Sequence, residues 1–191
     1  MARPELPILE FADRVAWQDW LEAQHASSPG VWLKLAKKGS VTATVTYAEA
    51  LEEALRFGWI DGQKAGHDES FWLQRFTPRG PRSKWSQMNR QKAAELIKRG
   101  RMEPAGLAQV EAAKRDGRWE AAYPSQRTAT VPEDFRRALD EDPAAREFFA
   151  GLGSVQRYAF LYRIGDAKRP ETRARRIRDY VAMLAEGRTL H

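Results

Sequence analysis

The spacing of apolar residues changes several times along the chain, and each change marks an element. Asp13 is an N-capping side chain, after which Trp17, Trp20 and Leu21 share one face of a helix that ends before Ser28-Pro29-Gly30. Val31-Trp32-Leu33-Lys34-Leu35 alternates like a strand, with Val31, Leu33 and Leu35 turned the same way. Lys38-Gly39-Ser40 is a turn, and residues 41–45 are expected to return as a second short strand. Thr46 and Glu49 have capping-box spacing, which predicts a helix from Tyr47 that buries Tyr47, Leu51, Ala54 and Leu55 and stops at Gly58. Trp59 to Lys64 and Glu69 to Phe76 read as the two arms of an antiparallel hairpin.

The rest of the pattern is helical. Ser83 is the expected cap of a helix running through Arg99, and Pro104 opens another that carries Leu107 and Val110 and stops at Gly117. Tyr123 to Pro132 is polar and aperiodic and reads as a linker. Beyond it, one helix starts at Pro132 with Phe135 and Leu139 inside, and Ser154 caps a second carrying Val155, Tyr158 and Leu161. A short helical turn at Pro143 to Phe149 lies between them. The last helix runs from Pro170 to Gly187 and buries Ile177, Tyr180, Val181 and Leu184. The expected class is α+β. A small antiparallel sheet with packed helices takes residues 1–122, the linker residues 123–132, and a C-terminal three-helix unit residues 133–191.

Composition narrows the chemistry. The chain has no cysteine, which removes disulfides, thiolate metal sites and Cys nucleophiles. Only His25, His67 and His191 are available as imidazole ligands, and no pair has helical ligand spacing, so no metal site is expected. No glycine-rich phosphate loop, dinucleotide fingerprint or serine elbow is present, so no cofactor and no catalytic residue is read. The segment Met1 to Pro7 lacks a signal-peptide core and no apolar run is long enough to span a bilayer; the expectation is a cytoplasmic protein without integral membrane association.

Charge changes the picture further. The chain carries a net +6, yet the stretch from Phe71 to Arg101 holds nine cations against one acid, Glu95. Within it, Thr77-Pro78-Arg79-Gly80-Pro81-Arg82-Ser83-Lys84 is a bent loop. Arg75, Arg79, Arg82 and Lys84 would supply charge to an anion, with Ser83 and the start of the next helix supplying donors. Trp59, Trp72 and Trp85 are the candidate platforms for stacking a base beside these cations, against the reading of each as a core residue. The competing reading is a solvated loop whose Arg side chains lie over Trp72 and Trp85. Asp61, before Gly62, is either a ligand-binding or basic carboxylate or a turn residue bonded to its own backbone. The basic run Lys168 to Arg178 reads either as a phosphate-facing helix or as a helix laced by ion pairs, Glu171 with Arg175 and Asp179 with Arg175 or Arg176.

Two stretches resemble a known family. Ala167-Lys168-Arg169-Pro170-Glu171-Thr172-Arg173-Ala174-Arg175-Arg176-Ile177 is similar to the C-terminal signature of the YdeI/OmpD-associated, or bacteriocin-protection, proteins. Phe57-Gly58-Trp59-Ile60-Asp61-Gly62, with Arg75-Phe76-Thr77-Pro78-Arg79 and Ser83-Lys84-Trp85-Ser86, resembles the N-terminal part of the same family. The resemblance implies a link to stress or peptide-toxin tolerance and carries no catalytic residue over. The functional expectation is a non-enzymatic protein that binds an anionic ligand, either nucleic acid or a phosphorylated small molecule. An interaction module for an acidic protein partner is the alternative, and an enzyme using Asp61 with the loop cations is the third reading.

Overall fold

The computed structural model describes residues 5–190. Met1–Pro4 and His191 lie outside them, and with them part of the N-terminal segment read for a leader and the third histidine. The chain forms two compact units. The first holds the residues up to Trp85 together with Asn89–Ala122, and the second holds Ser86–Met88 and the residues from Tyr123 onward.

The first unit is built on a sheet of order β1-β2-β4-β3, comprising β1 (Ile8–Glu10), β2 (Val31–Ala36), β3 (Trp59–Gly66) and β4 (Phe71–Pro78). β4 pairs antiparallel with both β2 and β3, as the hairpin pattern predicts. β1 runs parallel to β2, so the sheet is mixed and not purely antiparallel. Three residues are too few to show a period, and of these only Leu9 packs on the core. The expected strand at residues 41–45 does not form. Both edges of β2 are occupied by β1 and β4, and the segment is tied instead by Thr44 Oγ1, which accepts from Ala36 N at 2.9 Å.

Helices α1 (Arg14–Gln24), α2 (Tyr47–Arg56), α3 (Gln87–Lys98) and α4 (Pro104–Arg115) contribute the rest of the core. Asp13 caps α1 by accepting from Ala16 N at 2.9 Å. Thr46 and Glu49 close the capping box of α2, with Thr46 N donating to Glu49 Oε2 at 3.0 Å. Leu51, Ala54 and Leu55 are buried as the pattern requires, but Tyr47 is exposed. α3 begins at Gln87, four residues later than the expected Ser83 cap, and the Gln87 N–H is taken by Tyr123 O at 2.8 Å. Leu107 of α4 is exposed, whereas Val110 is buried.

One buried charge organises this unit. Glu53 on α2 is 0% exposed and is surrounded by three guanidiniums. Arg14 Nε donates to Glu53 Oε1 at 2.6 Å, Arg101 Nη2 at 3.3 Å, and Arg56 Nη1 donates to Oε2. Arg14 and Arg101 also bind Glu52, at 2.7 and 3.0 Å, and Arg56 reaches Glu103 at 2.7 Å. Burial pushes the Glu52 carboxyl up, but the Arg14 hydrogen bond and the charges of Arg14, Arg101 and Lys92 outweigh it and hold the group below its ordinary value. The network joins α1, α2 and the segment leading into α4, three places distant in sequence.

The second unit has four helices, α5 (Glu133–Asp140), α6 (Pro143–Gly151), α7 (Ser154–Gly165) and α8 (Pro170–Ala185), in place of the expected three. The fourth is the stretch read as a short turn. It is a full helix because Asp142 caps it, accepting from Ala145 N at 3.0 Å, and because Ala145 and Phe149 enter the core. Phe135 and Leu139, Phe160 and Ile164, and Ile177 and Leu184 complete that core. On α7 the buried face is Phe160 and Ile164, while Val155 is exposed.

Arg173 of α8 binds the Asp134 carboxylate of α5 with two prongs, at 2.6 and 2.8 Å, and its third nitrogen donates to Ile164 O of α7 at 3.0 Å. The Arg173 hydrogen bond outweighs burial and holds Asp134 below the usual aspartate value. A folded value below the unfolded one gives stability that is full above the unfolded value, about pH 4, and lost as pH falls through the folded value. Asp134 is partly exposed, so Asp134→Asn is expected to cost about 1 kcal/mol or less. Urea midpoints should differ between variant and wild type at neutral pH and converge in acid; an equal difference at both would remove the ion pair as the cause.

Candidate functional site

The loop after β4 folds in on itself. Arg79 N donates to Gly58 O at 3.0 Å, Gly80 N donates to Ser83 Oγ at 3.0 Å, and Ser83 N returns to Gly80 O at 3.0 Å. Arg79 is 5% exposed, and its guanidinium carbon lies 3.6 Å from the centre of the Trp85 ring. Its Nη1 donates to Lys84 O at 3.1 Å. Trp85 is itself buried and meets Trp119 edge-on at 5.0 Å, while Arg118 Nη1 donates to Ser83 O at 2.8 Å. Arg79, Ser83 and Trp85 therefore form one packed cluster, with Arg82 and Lys84 exposed at its rim. Ser83 spends its hydroxyl within the loop, and the start of α3 lies beyond it.

The register of the sheet separates the remaining residues. Val31 opposes Phe76, Leu33 opposes Gln74 and Leu35 opposes Trp72, so these six side chains share the helix-covered face. Asp61 opposes Phe76 and Lys64 opposes Gln74, which places both on that face too, the pairing shifting between them at a bulge. Arg75, opposite Trp32, points to the other face. Trp72 and Arg79 stand seven positions apart along β4 and its exit, roughly 20 Å at strand rise. Trp72 and Trp85 consequently belong to different places on the unit.

Around Trp72 the structure assembles cations that lie apart in sequence. An open cavity of about 650 Å³ is lined by Lys37, Lys38, Lys64 and Trp72 together with Ala36, Ala65 and Gly66. Lys64 Nζ stands 4.4 Å from the Trp72 ring centre, and Lys37 Nζ donates to Asp68 O at 2.7 Å. All three lysines are exposed. On another side of the indole the Tyr47 ring lies 6.0 Å away, tilted by 48°. Tyr47 donates its hydroxyl to Asp61 Oδ2 at 2.8 Å, and Asn89 Nδ2 donates to Oδ1 at 3.3 Å. Asp61 is thus held by side chains from α2 and α3, not by its own backbone. Among the described residues no three His, Asp or Glu side chains are grouped to hold a metal ion.

The signal for Lys37 and Lys38 was the turn Lys38-Gly39-Ser40, and for Lys64 the end of a hairpin arm. Neither signal says that the turn and the strand meet. They meet because β2 and β3 flank β4 on opposite sides, with the pair Leu35–Trp72 beside Trp72–Gly66.

Fold and site together define an α+β protein with an open lysine-and-tryptophan cavity in its N-terminal unit and an all-helical C-terminal unit. Residues 128–187 match the model of the bacteriocin-protection, YdeI or OmpD-associated family, and the chain belongs to the family of a domain of unknown function (DUF8412), whose model matches residues 9–109. The Ala167–Ile177 signature lies within the first match and the Phe57–Ser86 stretch within the second. No curated protein and no solved structure matches the chain. Among the described residues no helix is long and apolar enough to cross a membrane.

Proposed function

We propose that this protein is a non-enzymatic, cytoplasmic binder of a phosphorylated small molecule of nucleotide type, and that the ligand lies in the cavity at Trp72. The observation that supports this is the convergence of Lys37, Lys38 and Lys64 with one indole on a single open cavity. Ammonium groups are mobile point charges suited to phosphate oxygens, and an indole face beside them offers a surface for a base. A cleft of a few hundred cubic ångströms with few polar groups is also the usual size for such a ligand. The bacteriocin-protection description of the C-terminal family is the support for a role in stress or peptide-toxin tolerance.

Calorimetric titration with inorganic pyrophosphate and with ADP at low salt tests the reading. Removing Lys37, Lys38 and Lys64 together by Ala should weaken both ligands by at least about 100-fold, since two charge-assisted contacts of ~1.5 kcal/mol, about tenfold each, already amount to that. Trp72→Ala should weaken ADP and leave pyrophosphate nearly unchanged. The lysines are exposed, so the triple variant should unfold at the wild-type midpoint. Equal binding by wild type and triple variant, or none by wild type, would remove the site.

A further inference from the structure

Asp61 is held on both oxygens, yet by neutral partners only. Tyr47 of α2 donates to its Oδ2 at 2.8 Å, and Asn89 of α3 donates to its Oδ1 at 3.3 Å. Asn89 is 7% exposed, so a buried amide is committed to orienting a carboxylate that stays only half-buried. The Asp61 side chain has no ion pair among the described residues, although Lys64 stands three positions along the same strand. Each carboxylate oxygen carries two lone pairs, and one on each remains after Tyr47 and Asn89.

The place of Asp61 relative to the cavity narrows what could use those lone pairs. Asp61 opposes Phe76, four positions along β4 from Trp72, roughly 13 Å at strand rise. The Tyr47 ring bridges that interval, its centre 6.0 Å from that of Trp72 and its hydroxyl on Asp61. The cavity lysines, the indole, the phenol ring and the carboxylate therefore follow one another along β4. A nucleotide has the same order: phosphates, then sugar and base face, then the base edge farthest from the phosphates.

We infer that, given the phosphate site proposed at Trp72, Asp61 reads the outer edge of the base and selects guanine. A carboxylate presents acceptors only, so it needs donors from its ligand. Guanine carries two adjacent donors on that edge, N1–H and the N2 amino group, which meet the two oxygens of one carboxylate side by side. Adenine, cytosine and uracil each place an acceptor beside their donor, and that acceptor would face a carboxylate oxygen. Tyr47 and Asn89 are then positioning residues, which fix the carboxylate without neutralising it.

Calorimetric titration of the full chain with pyrophosphate, GDP, IDP and ADP tests this. Wild type should bind GDP about tenfold more tightly than IDP, which lacks the N2 amino group, and ADP more weakly than GDP by at least about tenfold. Asp61→Asn should abolish the preference for GDP and tighten ADP, because an amide sets a donor beside an acceptor and so matches adenine's edge. Its affinity for pyrophosphate should equal that of wild type. Equal GDP and ADP affinities in wild type, with pyrophosphate still bound, overturn the selection of guanine and leave the phosphate site standing. Failure of pyrophosphate to bind removes the phosphate site itself, and this role of Asp61 with it. A loss of every ligand by Asp61→Asn, pyrophosphate included, would make the residue structural and also overturns the assignment.

Discussion

Glu53→Gln should lower the unfolding free energy of the N-terminal unit by about 3–5 kcal/mol, the cost of removing one partner from a buried ion network. The carboxylate is wholly buried and receives Arg14, Arg56 and Arg101. Gln keeps the shape but not the charge, and its amide nitrogen would turn a donor toward a guanidinium donor. Arg56, 8% exposed, then keeps Glu103 and Arg101 O but loses its nearest counter-charge. Replacing the whole network by apolar residues would be far less damaging, because desolvation cost and Coulomb gain nearly cancel in the intact set. The check is the urea midpoint at constant slope. A loss under about 1 kcal/mol would mean that the three arginines reorganise toward water once Glu53 is neutral.

Gly106→Ala is the other large effect, expected at or above the ~3 kcal/mol upper end of the usual overpacking range. A Cβ at Gly106 would fall inside contact distance of Arg56 O, 2.5 Å from Met102 Sδ and 2.9 Å from Leu55 O. The sulfur can swing aside, but two backbone carbonyls at the end of α2 cannot. Gly58 faces the same crossing at φ +74, with Ala105 O 2.8 Å from where its Cβ would stand. Glycine at both places lets α4 lie against the end of α2 at backbone contact. An unfolding midpoint for Gly106→Ala within about 0.5 kcal/mol of wild type would show that the two helices can separate without cost.

Local signals carried most of the secondary structure. The Asp13 cap, the Thr46–Glu49 box, the alternation at Val31 to Leu35, and Gly58 and Gly187 at positive φ are each decided by neighbours a few residues away, so the chain states them directly. Where local signals stood alone they misled. Ser83 has the chemistry of a cap but closes a turn onto Gly80, and the segment after Gly39 has strand-like valines but follows a strand, β2, whose two edges are already paired.

The candidate site was legible only in part. Trp72 could be picked out as an aromatic surface near charge, but its cations come from the turn after β2 and from β3, which pairing in the sheet brings together. The nearest cations in sequence, Arg75 and Arg79, lie on the opposite face and under Trp85. A count of charge along the chain cannot distinguish an exposed ammonium from a guanidinium buried on an indole, because both have the same formal charge and only burial separates them.

By itself, the sequence determined the α+β class, the helix starts and stops that depend on capping, the hairpin, and the likeness of the C-terminal signature to the bacteriocin-protection, YdeI or OmpD-associated family, because each rests on residue type and short spacing. Tertiary structure alone decided the parallel β1, the fourth C-terminal helix, the burial of Glu53 among three arginines and the pairing of Arg173 with Asp134. These depend on which distant segments come into contact and which side chains lose water when they do, and the free energy of a charge is set by that surrounding and not by its place in the chain.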